Sequence, residues 1–370
     1  MLDGGYWIQE LDIRLHCPAL CTGIQDRESR IKYQASSVKY RISILKTIKQ
    51  KKINFFIPVQ IFFMVQTSKK YRRIYQHLTN FELQRTTEAD KLISSDDILG
   101  DLRDKERPHL FLNFYSEQGI KIALEEYGIF KDLERRGFHD FIIKINARDP
   151  YRHTLKAYFE KEDPDHLLGE LIVRKKFFIA RPIFPTEIVG QKFSMIVIEW
   201  LTLQDPTAEF TPRRPPLPGQ IHPGLRIGRK IVGIFVNMSL RLKADGLLNI
   251  PEHYHNAVFY SKHFKYINPY TEGQFLAMQR DLRMAGLFKA AWAVELNCVL
   301  EKNTGKTWKW FTDEQVLFVS KRLEKYFGSK EYKERVEDAE NSHGFEIDDE
   351  KFNRLIKERP SLQQVPELFE

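Results

Sequence analysis

Asn256 and Tyr260 stand four apart in the run Asn256-Ala257-Val258-Phe259-Tyr260-Ser261-Lys262-His263-Phe264. On a helix that spacing puts an amide and a phenol on one face, and Ala257 is small enough to let a ligand or a neighbouring strand come close. Upstream, Pro223-Gly224-Leu225-Arg226-Ile227-Gly228-Arg229 precedes an amphipathic stretch. Gly224 and Gly228 permit a tight turn and close approach of backbone to a ligand. The first N–H groups of a helix starting there would meet an anion, helped by the helix dipole. An ordinary tight turn also accounts for the two glycines. Glu199 interrupts an apolar run, Ser194-Met195-Ile196-Val197-Ile198-Glu199-Trp200-Leu201. A carboxylate there must find a partner, reach solvent or hold a proton more tightly than usual. It is therefore either a general base or an outward-facing strand residue, and Glu170 is a weaker candidate of the same kind. His253 and His255, with Glu252 beside them and His222 near the loop, form an H-x-H pair without a third ligand in sequence, so no metal site is assigned.

These residues need elements to hold them. Ser116 to Arg136 carries apolar residues at helical spacing, with a break at Gly128 and a stop at Gly137. Four strand-like runs follow, Phe141–Ala147, His153–Phe159, Leu167–Ile179 and Phe193–Leu203, and their short links predict an antiparallel meander. The last run leads through the proline-rich 205–223 into a helix that starts near Gly228. Ile231, Ile234, Phe235, Met238 and Leu242 give that helix one apolar face. A short strand over Leu247–Ile250 and a second helix over about 254–263 complete a strand, loop, helix, strand, helix unit able to hold a phosphate-bearing ligand. Residues 271–370 read as mainly helical, interrupted at 302–308, and Trp292, Trp308 and Trp310 read as packing residues.

With 370 residues, 42% of them hydrophobic, the chain can bury a sizeable core. The formal charge of +8 suits phosphate-bearing partners without choosing one. Much of the excess lies before residue 80, away from the loop. Basic residues do not interleave with aromatics as in nucleic-acid motifs, so nucleic acid is not the expected partner. Cys17 and Cys21 lack a second pair for a zinc site, and with Cys298 they read as reduced thiols. The N-terminus has no signal-peptide pattern, so the expected compartment is cytoplasmic. The apolar run Ile53–Val65 is too short for a spanning helix, which needs about 20 residues. Lysines and arginines flank it, so a weak membrane-surface contact through 49–73 is the alternative to a buried strand or helix.

The Pro223–Arg229 and Asn256–Phe264 segments, in this order and spacing, resemble the pyrophosphate loop and the fourth-helix motif of the GNAT (N-acetyltransferase) superfamily. The segments 113–119 and 217–228 look like a family of uncharacterised bacterial proteins. The resemblance implies an α+β fold: a GNAT-like mixed, mostly antiparallel sheet flanked by helices, with an N-terminal extension and a C-terminal helical region. It implies an acyl-coenzyme A, such as acetyl-CoA, as co-substrate, and an amine acceptor, small molecule or protein, that attacks the thioester directly. The backbone of Gly224, Leu225, Arg226, Ile227, Gly228 and Arg229 would bind the coenzyme A pyrophosphate. Asn256 would contact the pantetheine arm, Tyr260 would protonate the leaving thiolate, and Glu199 would be the base on the fourth strand. Pro223 and Arg226 depart from the motif, and a side chain at 226 opposes a positive φ there. His263 replaces the glycine before Phe264.

The domain expectation is a basic region over 1–105, a GNAT-like core over 106–270 and a helical appendage over 271–370. The rival reading of the core is a non-catalytic module that binds or senses acyl-coenzyme A. A basic adaptor for nucleic acid or membrane surfaces, acting through 40–75, is a third.

Overall fold

A computed structural model describes residues 69–85, 110–310, 312–359 and 362, all within one compact unit, Phe62–Glu370. Cys17, Cys21 and the apolar run Ile53–Val65 lie outside the described residues.

Two short helices come first, α1 (Lys69–His77) and α2 (Asn80–Gln84). Thr79 and Glu82 form a reciprocal capping box at the start of α2, which satisfies donors the helix cannot use itself. Helix α3 (Glu117–Glu126) is capped by Ser116, whose hydroxyl accepts from Gly119 N–H at 2.9 Å. Gly128 at φ 68° breaks the chain into α4 (Ile129–Glu134), and Gly137 at φ 93° follows its end. The break predicted at Gly128 thus falls where only a glycine turns left-handed at little cost.

Strands β1 (Ile142–Asn146), β2 (His153–Tyr158), β3 (Leu167–Ile179) and β4 (Lys192–Leu203) form the expected antiparallel meander. Helix α5 (Gly228–Arg241) then carries the chain to β5 (Gly246–Asn249), which runs parallel to β4. Ile231, Phe235 and Met238 are the buried face of α5, at the three-to-four spacing read from the sequence. Next come α6 (Tyr254–Tyr260), β6 (Lys265–Tyr266), α7 (Pro269–Leu282), α8 (Gly286–Glu295), β7 (Val299–Glu301), β8 (Lys306–Thr307) and β9 (Gln315–Phe318). The chain closes with α9 (Lys321–Gly328), α10 (Lys330–Ser342), β10 (Phe345–Ile347) and α11 (Asp349–Ile356).

The seven-stranded sheet has the order β1-β2-β3-β4-β5-β9-β6, and a small sheet has the order β10-β7-β8. The fold is α+β with a mixed, mostly antiparallel sheet. Strand β9 corrects the reading of 271–370 as an appendage. It lies between β5 and β6, antiparallel to both, and Val316 and Leu317 are fully buried. At Gly246 a side chain would overlap the Leu317 carbonyl, so β5 and β9 approach as closely as backbone allows.

Three apolar clusters hold these layers. The first lies between one face of β1–β5 and helices α1 to α5, and includes Val173, Ile196, Leu247 and Phe235. The second joins α6, α7, α8, the small sheet and α11. The third covers the opposite face with Phe193, Met195, Val316 and the α9–α10 residues Tyr326, Phe327 and Tyr332. Fully burying one such side chain is worth about 1.5–3 kcal/mol. Helix α1 is fixed by polar ties as well as apolar ones: Asn237 Nδ2 donates to the Tyr71 carbonyl and Arg241 to those of Tyr75 and Leu78.

Candidate functional site

The site forms where β4 and β5 part. Their parallel register covers only Met195↔Gly246 to Ile198↔Asn249. Beyond it β4 runs on to Leu203 along β3, while the chain after Asn249 turns away towards α6. The β3–β4 register slips at this point, because Ile172 faces Trp200 while Val173 faces Ile198. Glu199 is the extra residue of that bulge, a device that bends a strand and re-aims side chains. The edge of β4 facing β5 pairs again only at Leu203, which accepts from Leu225 N–H at 3.2 Å, and at the Gln204↔Gly224 bridge. Among the described residues, no strand pairs with 199–202 on that side.

The loop before α5 closes this opening. Asp205 N–H donates to the Pro223 carbonyl at 2.7 Å, and an Arg214 guanidinium nitrogen donates to the Gly224 carbonyl. The expectation that Arg226 would oppose a left-handed turn is corrected, since Arg226 itself has φ 56°. Neither Gly224 nor Gly228 has a positive φ. A Cβ on Gly224 would meet the Leu203 carbonyl at 3.4 Å, whereas one on Gly228 would meet nothing within 4 Å. The Ile227 carbonyl accepts from Lys230 and Ile231 N–H at 2.9 and 3.2 Å. The N–H groups of Arg226, Ile227, Gly228 and Arg229 have no partner among the described residues. Successive free N–H groups after a left-handed residue, at the head of a helix, form an anion-binding concavity.

The surrounding charge is positive. Burial, then the nearby Arg226, push the Arg214 guanidinium below its ordinary range, with Arg136 adding to the effect and Asp205 opposing it. His263 is held below the ordinary histidine range by burial, Lys262 and Arg229. Arg136, Arg226, Arg229 and Lys262 form no ion pair among the described residues. The sequence placed its charge excess before residue 80, and only folding gathers these cations from three separate segments.

Helix α6 supplies the other wall. Asn256 is half-buried, and its amide has no hydrogen-bond partner among the described residues. The Tyr260 ring packs on Phe264, centroids 5.3 Å apart, at the edge of the first core. Its hydroxyl also lacks a partner among the described residues, and burial pushes its pKa up to about 12. His255 on the same helix is buried, with Nδ1 unpartnered among the described residues. Burial, with His253 adding to it, pushes it down to about 3, so it is neutral near pH 7. His253 stacks on His255 at 5.4 Å and meets Glu295 at 3.0 Å. The Glu170 carboxylate pairs with Lys156 at 3.2 Å.

Glu199 is not beside Tyr260. One of its carboxylate oxygens meets Arg152 Nε at 2.9 Å and the other meets Arg174. No hydrogen bond joins Glu199 to Tyr260 among the described residues.

The residues missed in the sequence are Asn249 and Gln315. They face each other across β5 and β9, are 4% and 0% exposed, and all four amide atoms lack partners among the described residues. Asn249 is also the last residue of β5 paired to β4, so this unsatisfied polarity lies at the fork. An amide ending the apolar runs of β5 and opening β9 was the available signal. The proline-rich segment is tied to α8 by the Trp292 Nε1 donation to the Pro216 carbonyl at 2.9 Å.

No protein-family model matches this sequence, and no curated protein matches it.

Proposed function

We propose that the protein binds an acyl-coenzyme A in the fork between β4 and β5 and transfers the acyl group to an amine. The observation that carries this reading is the run of four unpartnered N–H groups from Arg226 to Arg229, placed beside the unpaired β4 edge. The pyrophosphate would sit on those groups, with Arg226 and Arg229 balancing its charge. The amide-bearing arm would pair with the β4 edge at 199–202 and with Asn256. Asn249 and Gln315 offer further amide partners at the fork.

In this mechanism the amine nitrogen attacks the thioester carbonyl carbon. A C–N bond forms, the C–S bond breaks, and the sulfur leaves as a thiolate while the amine gives a proton to water. Tyr260 would donate a hydrogen bond to that sulfur. Its pKa of about 12 lies about three powers of ten above that of an ordinary thiol, so the hydroxyl keeps its proton and stabilises the thiolate electrostatically. This refines the role of thiol-protonating acid expected from the sequence.

Binding is tested by calorimetry with coenzyme A and acetyl-coenzyme A. The double substitution R226A/R229A should weaken binding at least tenfold and reduce its dependence on salt. Equal affinity of wild type and double variant, or no binding to either, would remove this reading.

A second reading, a binding or sensing module without turnover, is favoured by Glu199, whose two oxygens are already occupied by arginines. Transfer of acetyl from acetyl-coenzyme A to any amine of a panel would remove this second reading, and E199Q then tests the base. If Glu199 is only an ion-pair partner, E199Q lowers stability by about 1 kcal/mol in urea unfolding and leaves any transfer to amines intact. Lost transfer at unchanged stability would make Glu199 the base.

A further inference from the structure

Between the face of β2–β4 and helices α3 to α5 lies a cavity of about 140 Å³ whose wall is almost wholly apolar. Leu155, Leu171, Phe130 and Phe235 are among the side chains that line it. Several of the polar side chains on its wall are already engaged. Asn237 Nδ2 donates to the Tyr71 carbonyl at 3.1 Å and meets the Tyr127 hydroxyl at 2.6 Å. Arg241 is bound to Asn80 and to the carbonyls of Tyr75 and Leu78. Glu170 pairs with Lys156. The wall exposes almost no polar surface, so a polar occupant would lose its hydration with little in return, and water is poorly held in such a space. Only an alkyl or aryl group suits it.

Its place in the fold narrows the choice. The cavity is lined by Leu201, Thr202 and Leu203 of β4 and by Leu225 and Ile227 of the loop. These are the segments whose backbone forms the unpaired edge and the anion-binding turn. A molecule held by its phosphates at that turn therefore has an apolar chamber beneath the same residues. Acetyl has one methyl group and leaves such a chamber empty. An apolar cavity of about 150 Å³ accommodates the six carbons of benzene.

From this we infer that the chamber holds the alkyl chain of a medium-chain acyl group, six to eight carbons long, so that the thioester used is hexanoyl- or octanoyl-coenzyme A rather than acetyl-coenzyme A. The inference rests on the acyl-coenzyme A reading above and adds the substrate class to it.

The test uses the full chain and four probes in calorimetry: coenzyme A, acetyl-coenzyme A, octanoyl-coenzyme A and octanoate. Each buried methylene strengthens binding about fourfold, so octanoyl-coenzyme A should bind at least a hundredfold more tightly than acetyl-coenzyme A. Two variants fill the chamber from opposite walls, Ala123→Phe on α3 and Ala157→Leu on β2. Each should bring octanoyl-coenzyme A down to the acetyl level, leave coenzyme A binding unchanged and hold or raise the melting temperature, because filling a true void does not destabilise. Equal affinity for acetyl and octanoyl thioesters in wild type overturns the inference and leaves the acyl-coenzyme A reading standing. Octanoate binding that the filling variants abolish, with no thioester bound, keeps the alkyl chamber and ends the acyl-coenzyme A reading. No binding of any probe ends both. If both variants fail to fold, the chain-length dependence of the wild type decides alone.

Discussion

Tyr260 and His255 share one short helix but are set by burial to opposite tasks. A phenol kept protonated, with no partner among the described residues, is available as a donor, and removing it should cost rate more than affinity. Tyr260→Phe is expected to keep coenzyme A binding within twofold while any acyl transfer falls by about 10²–10³, read from initial rates with a reactive amine. Unchanged rates would take Tyr260 out of the mechanism. His255 bears on stability. Its folded pKa of about 3 lies below the ordinary value of about 6.5, so between those values the unfolded chain binds the extra proton. Stability is therefore complete above pH 6.5 and falls as the pH drops towards 3. Comparing urea midpoints at pH 7 and pH 5, His255→Phe should lose about 2 kcal/mol less than wild type over that interval. Identical losses would mean that His255 protonates freely in the folded state.

At the scale of elements, two glycines separate a binding surface from a packing one. Gly228 opens α5 with free space before it, so Gly228→Ala should leave the melting temperature level or higher, since alanine favours a helix, and weaken coenzyme A binding. Gly246→Ala should instead lower stability by about 1–3 kcal/mol, because its methyl group would overlap the Leu317 carbonyl. Thermal melts of the two variants, with and without coenzyme A, check both outcomes. The contrast also marks what the sequence discloses. Helix α5 was legible because Ile231, Ile234, Phe235 and Met238 repeat every three to four residues. The strands of the meander were legible as apolar runs with turn residues between them. The conformation of Arg226 was not, because the hydrogen bonds from Asp205, Leu225 and Arg214 fix the loop from distant positions and override the local preference of an arginine. The occupation of Glu199 was also hidden, since its arginines arrive from the chain before β2 and from β3.

At the scale of the whole molecule, the sheet needs residues far apart in the chain. Strand β9 is four residues long in a charged, tryptophan-rich stretch, too short for its periodicity to declare it, yet it joins β5 to β6. Residues 106–270 are therefore not expected to fold alone. A chain ending at residue 270 should lack a cooperative thermal transition in circular dichroism, whereas the full chain should show one. A sharp transition for the shorter chain would mean that β5 tolerates a bare edge. No helix among the described residues is long and apolar enough to cross a membrane. The fastening of the proline-rich segment to α8 has an optical consequence. The Trp292 indole is 6% exposed and hydrogen-bonded to Pro216, in the segment that leads to the anion-binding turn. If that turn shifts when a ligand docks, the indole loses or strains its bond, and its emission changes in colour and intensity. Replacing Trp7, Trp200, Trp308 and Trp310 by phenylalanine would leave Trp292 as a single built-in fluorophore, able to time the docking event in a stopped-flow cell without any added dye.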